Sequence, residues 1–117
     1  MKDYFSDEEL ALLVENGRRS AAEPDFDPVP VARLFVPDGA ASWLLTEIDP
    51  SDLDLAYGLC DAGIGLPEEG YVSLTALARP TGVIGAAAER DLRWRAPPGF
   101  TLSTFARLAA AAGRIIV

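Results

Sequence analysis

The sequence predicts an α+β domain: one twisted, mainly antiparallel sheet, with an N-terminal and a C-terminal helix packed on it. Two observations carry this. Amphipathic stretches with helix-cap signals sit near the two ends of the chain, and between them lie short β-rich runs separated by turn residues. The three central runs are joined by tight turns and read as a meander, to which one or two further strands are added. At 117 residues the chain is of single-domain size, so residues 1–117 are taken as one domain covered on one side of its sheet.

Each element has a local cause. Ser6-Asp7-Glu8-Glu9 is a capping box, and Leu10, Leu13 and Val14 then form an apolar stripe. Gly17 followed by Arg18 and Arg19 suggests a helix end, which gives a helix over about 7–16. Residues 20–28, with Pro24 and three acids, read as a surface linker. Val29 to Val36 is β-rich, and Pro28 and Pro30 at its start suggest an edge strand. Pro37-Asp38-Gly39 turns into a second strand over 42–48, where simple alternation puts Trp43, Leu45 and Glu47 on one face and Leu44, Thr46 and Ile48 on the other.

Asp49-Pro50-Ser51-Asp52 is the next turn, and the third strand covers 55–60. Gly63, Gly65, Pro67 and Gly70 make 61–70 an irregular loop. Tyr71-Val72 returns to strand character, and Ser73 caps a short helix over 74–79 that Pro80 stops. A weak strand around 83–87 and a better one at 92–94 follow. Pro97-Pro98-Gly99 breaks the chain before Thr101, which is the expected cap of a helix running to about Gly113. Leu10, Val31, Phe35, Leu45, Leu59, Tyr71, Leu92, Phe105 and Leu108 are the expected core.

Composition excludes much chemistry. There is no histidine, so triads, Cys-His pairs and histidine zinc sites cannot be built within the chain. The single cysteine, Cys60, rules out an internal disulfide and suits a reducing compartment, so the cytoplasm is the expected location. No apolar run is long enough to span a membrane. Charge is segregated: residues 1–78 hold 16 carboxylates and 4 basic side chains, residues 79–117 hold 2 and 6, giving −12 and +4 within the net −8. That balance favours a protein partner, with a basic DNA-binding protein as one variant, and opposes direct binding to nucleic acid.

Four segments carry a family resemblance: Thr46-Glu47-Ile48-Asp49, Tyr57-Gly58-Leu59-Cys60-Asp61, Gly70-Tyr71-Val72-Ser73-Leu74, and Glu89-Arg90-Asp91 followed by Trp94. In this order they resemble a bacterial domain family of unknown function, over about residues 28–107. Members of that family are often encoded on plasmids and integrated mobile elements, and the resemblance implies no activity. The chain departs from the pattern at Ala76 and Ala78, where an acid is usual, and at Ala88, where proline is common. The C-terminal Arg114-Ile115-Ile116-Val117 lies beyond the match. It is expected either to add a short strand or to dock as an apolar tail, offering a route to homo-oligomers.

Candidate functional residues are therefore carboxylates and arginines: Glu47, Asp49, Asp61, Glu69, Glu89, Arg90 and Asp91. Glu47 on an apolar strand face needs a partner, and Arg90 or Arg93 are the nearest in kind, so a structural ion pair is expected there. Asp49, Asp52, Asp54 and Asp61 are acids that could gather at one end of the meander. Their spacing lacks the glycine and closing glutamate of a calcium loop, and Asx-turns explain them as well. Gly58, Gly63, Gly65 and Gly70 fit no phosphate-binding pattern. Cys60 is expected to be buried and inert, and Trp43, Tyr57 and Trp94 to be core. No cofactor and no metal is expected. The preferred function is a small acidic, non-catalytic accessory or protein-binding domain. The alternative is a carboxylate-dependent enzyme or ligand-binding domain using Glu47, Glu69, Asp91 and Arg90.

Overall fold

The computed structural model describes residues 3–37, 39–80 and 87–117. The elements run α1 (Asp7–Ala22), β1 (Ala32–Phe35), β2 (Ser42–Asp49), β3 (Asp52–Asp61), β4 (Glu68–Ser73), α2 (Leu74–Leu77), β5 (Glu89–Arg90) and α3 (Leu102–Ala112). The strands form one antiparallel sheet in the order β4-β3-β2-β1-β5. The α+β class and the three-strand meander are as expected. The 83–87 strand, like Asp38 of the first turn, falls largely outside the described residues.

The sheet is covered on both faces, not one. Leu13 of α1 packs with Leu34, Leu45, Ile48 and Ala56 on one side. Leu102, Phe105 and Ala109 of α3 pack with Leu44 and Leu59 on the other. With both faces apolar, β2 is buried along nearly its whole length and cannot show a simple inside-outside alternation. A register shift between Leu45 and Glu47 makes Thr46 the extra residue of a bulge. Leu45 and Ile48 therefore share the α1 face, while Leu44 and Glu47 share the α3 face, opposite the alternation expected beyond Thr46. Gly58 permits this: a Cβ there would lie 1.9 Å from the Leu44 carbonyl oxygen.

Helix α1 opens on the expected capping box and runs six residues past the expected end. Gly17 is not a stop signal. It is buried mid-helix, where a Cβ would lie 2.2 Å from the Ile48 carbonyl oxygen, so glycine lets α1 touch β2 backbone to side. Next to it, Asn16 donates from Nδ2 to the Thr46 carbonyl, satisfying the bulge.

Strand β1 is not an edge, because β5 pairs with it through Leu34–Arg90 and Phe35–Glu89. The strand expected at 92–94 is instead a turn. Asp91 accepts from the amides of both Arg93 and Trp94, and Leu92 is left 76% exposed. Tyr71 and Leu108 are also exposed against expectation, while Leu45, Leu59 and Phe105 are buried. Thr101 holds N-cap geometry at α3 without a side-chain cap bond; Asp27 caps that helix from the 23–28 loop by accepting from the Ser103 amide. The C-terminal segment forms no strand. Ile115 is buried in the α3 layer and its amide donates to Asp61. No helix among the described residues is long and apolar enough to cross a membrane.

Candidate functional site

The expected pair between Glu47 and Arg90 or Arg93 is absent. Arg90 instead donates two guanidinium bonds to Glu9, at 2.9 and 2.8 Å, and one to the Tyr4 carbonyl. Tyr4 in turn donates its hydroxyl to the Ala88 carbonyl. Asp91 pairs with Arg33 at 2.9 Å, and Glu89 is exposed opposite Phe35. The Glu89-Arg90-Asp91 segment is thus a clamp that fixes α1 and the N-terminal segment to β1. Ala88, where the resembling family favours proline, uses its amide to donate to Leu77, a bond proline cannot make.

The acidic residues of the meander do not gather either. Asp49 closes an Asx-turn on Ser51, and Asp54 accepts from Ser73, the Thr75 amide and the Thr75 hydroxyl, anchoring α2. Asp61, 2% exposed, sits at the far end of β3 and accepts from the Gly63 and Ile115 amides. Asp54 and Asp61 are separated by roughly 23 Å of extended strand at about 3.3 Å per residue. Among the described residues, no group of three or more His, Cys, Asp or Glu side chains could hold a metal ion.

Two of the expected residues do converge. Glu47 and Glu69 line an open cleft of about 480 Å³ on the α3 face. Strands β2, β3 and β4 contribute Glu47, Tyr57, Glu69 and Tyr71, and the loop after α1 contributes Asp25, Phe26 and Asp27. Leu102 and Ser103 of α3 and Ser20 of α1 add to the lining. No lysine or arginine is among the described lining residues. The bulge at Thr46 is what turns Glu47 toward this face.

Glu47 is 8% exposed, and burial raises its pKa against the opposing hydrogen bond from Ser20. Among the described residues no cation pairs with it. Beside it, Tyr57 donates to Glu69 at 2.9 Å. Burial, then the Glu69 hydrogen bond, pushes the Tyr57 phenol up to about 12, so it remains a donor at any physiological pH. Tyr57 and Tyr71 meet edge to face with centroids 4.9 Å apart. At the cleft wall, burial works against the Asp27 carboxylate, but hydrogen bonds from Ser103 and Thr101, with a smaller contribution from the Arg107 charge, outweigh it and lower its pKa. The 23–28 loop is held at its other end by Arg19, which pairs with Glu23 and lies 4.2 Å over the Phe26 ring.

The arrangement is suited to a cationic group. It offers a buried anion at Glu47, further carboxylates and tyrosine faces, and among the described residues no cation is paired with Glu47. The 23–28 loop as a wall of the site, and Tyr57 and Tyr71 as its aromatic lining, were not visible in the sequence. Only the fold joins that loop to α3 and exposes Tyr71 on an edge strand.

A family model described as a protein of unknown function (DUF2958) matches residues 4–116. No curated protein and no solved structure matches the chain.

Proposed function

Because the chain belongs to the DUF2958 family, a family of unknown function, its role has to be read from the cleft, and we propose that it is a non-catalytic accessory domain that binds a partner protein by receiving a basic side chain there. The observation that carries this is Glu47: a carboxylate 8% exposed, at an open cleft, with a hydroxyl for company and, among the described residues, no cation paired with it. Burying an anion without a counter-charge is costly, and an arriving arginine or lysine repays that cost. The net charge of −8 favours encounter with a basic protein such as one that binds DNA, and the cytoplasm is the compartment that fits a single free thiol. Bacterial mobile elements are the setting in which a host DNA-binding protein is the natural partner. Self-association through the C-terminal segment draws less support, since Ile115 is already buried in its own chain.

The test compares Glu47→Gln with Glu8→Gln, which removes the same charge from the exposed first turn of α1. Capture of a basic protein at moderate salt is expected to fail for Glu47→Gln and to persist for Glu8→Gln. Equal losses from both variants overturn the proposal, because they reduce it to nonspecific charge attraction. The Tm of Glu47→Gln is expected to equal or exceed that of the parent at neutral pH. The sign follows from the raised pKa: stability linked to Glu47 is full below its unfolded value and falls as pH rises through the folded one. Binding is expected to weaken as pH falls through that same raised value.

A second reading, a carboxylate-based enzyme, is favoured by one observation: Glu47 has a raised pKa and shares its cleft with Glu69. It loses Arg90 and Asp91, whose side chains are held by Glu9 and Arg33.

A further inference from the structure

Among the described residues strand β4 is an edge of the sheet, and it borders two surfaces. On the α3 face, Glu69 and Tyr71 form the outer rim of the acidic cleft. On the opposite face a groove of about 330 Å³ is bordered by Trp43, Cys60, Ile64, Leu66, Glu68 and Gly70, with Glu69 and Tyr71 shared between the two surfaces. Ile64 and Leu66 are 74% and 68% exposed, Tyr71 is 59% exposed, and a Cβ on Gly70 would meet nothing within 4 Å. Apart from the β3 ladder, no backbone–backbone hydrogen bond among the described turns and loops involves β4, whose last residue, Ser73, caps α2. The edge carries no proline and no lysine but opens with Glu68 and Glu69, whose charge opposes an acidic strand and admits a basic one.

We infer that β4 accepts an extended segment of the partner as an added strand, one with alternating basic and apolar side chains. The inference rests on the proposed binding of a basic partner. A strand beside β4 points successive side chains to opposite faces. One set then lies over Tyr71 and beside Glu69, where a guanidinium gains a carboxylate and an aromatic face. The alternate set lies on the face of Glu68 and Gly70, beside Ile64 and Leu66, which accept apolar groups. Six residues of β4 make an edge of roughly 20 Å, enough for about six residues of partner. A second copy of this chain fits poorly, since its own β4 begins with Glu68 and Glu69 and would bring like charge to an acidic edge.

The probe is an end-capped octapeptide of alternating arginine and valine, titrated into the full chain by NMR. Saturable binding is expected, with the amides of Glu68–Ser73 gaining exchange protection. N-methylation of the peptide along one edge is expected to weaken binding at least tenfold, and Glu69→Gln and Leu66→Glu to weaken it several-fold without altering the spectrum elsewhere. If the methylated peptide binds as tightly and the Glu47→Gln variant still loses the basic protein, strand addition is overturned and the acidic-cleft reading survives. If the peptide binds β4 while Glu47→Gln captures the protein normally, the cleft reading falls. If the chain alone sediments as a dimer with β4 amides already protected, the occupant is a second copy and the inference is overturned. Failure of the peptide to bind overturns it outright.

Discussion

Glu9 does two jobs with one carboxylate. Its Oε1 accepts the Ser6 amide to complete the capping box and also accepts from Arg90, while Oε2 takes the second guanidinium bond. The Arg90 hydrogen bond is the largest reason its pKa lies at about 2, with burial opposing. A depressed carboxylate contributes stability that is present above its unfolded value and is lost as pH falls through the folded one. Acid titration is therefore expected to remove roughly 2 kcal/mol between about pH 4.5 and 2 on account of this pair, after allowing for its partial exposure. Glu9→Gln is expected to lose that much at pH 7 and to show a flatter acid limb in denaturant melts. A parallel acid limb in both proteins counts against the clamp. The contrast with Glu47 is instructive at this scale: two glutamates, one given an arginine and one left with a hydroxyl, have pKa values moved in opposite directions by their surroundings.

At the scale of elements, the sharpest test is Gly17→Ala. Helix propensity alone favours alanine by about 1 kcal/mol in a helix interior. The contact with β2 predicts the opposite, since a Cβ 2.2 Å from the Ile48 carbonyl oxygen forces α1 off the sheet. A loss of about 1–3 kcal/mol in chemical denaturation is expected, the scale of overpacking. A gain in stability shows that α1 does not rest on β2 as described. The same contact explains why the end of α1 was misplaced in the sequence: Gly17 with two arginines imitates a C-cap, and only the neighbouring strand reveals the glycine as a point of close approach. The α3 cap was hidden for a related reason, because Thr101 stands in the right place while Asp27, 76 residues away in sequence from Ser103, makes the bond.

For the whole molecule, two apolar layers share one sheet, so loss of either is expected to unfold both. Phe105 is 4% exposed, joins Leu44 and Leu59, and contacts the Trp94 and Phe100 rings at 6.0 and 5.8 Å. Phe105→Ala is expected to cost roughly 3–5 kcal/mol, with Trp fluorescence and far-ultraviolet dichroism unfolding together. A change under about 0.5 kcal/mol, or two separate transitions, shows α3 to be peripheral. The charge asymmetry along the chain also resolves at this scale. Arg90 from the basic segment finds Glu9, and Asp91 finds Arg33, so each long-range pair joins the two parts of the chain.

The sequence by itself determined the class, the meander and the capping box, because these rest on turn chemistry and local caps that act over a few residues. It also pointed to Glu47 and Glu69, since carboxylates on β-rich segments stand out in a chain without histidine. Only the tertiary structure decided which partners the charges take and which face each residue of β2 presents. One extra residue at Thr46, made possible by the missing side chain of Gly58, reverses the facing of Glu47 and Ile48 relative to simple alternation. A bulge leaves no periodic signal, and a cleft assembled from three strands, a loop and two helices exists only after long-range packing has brought them together.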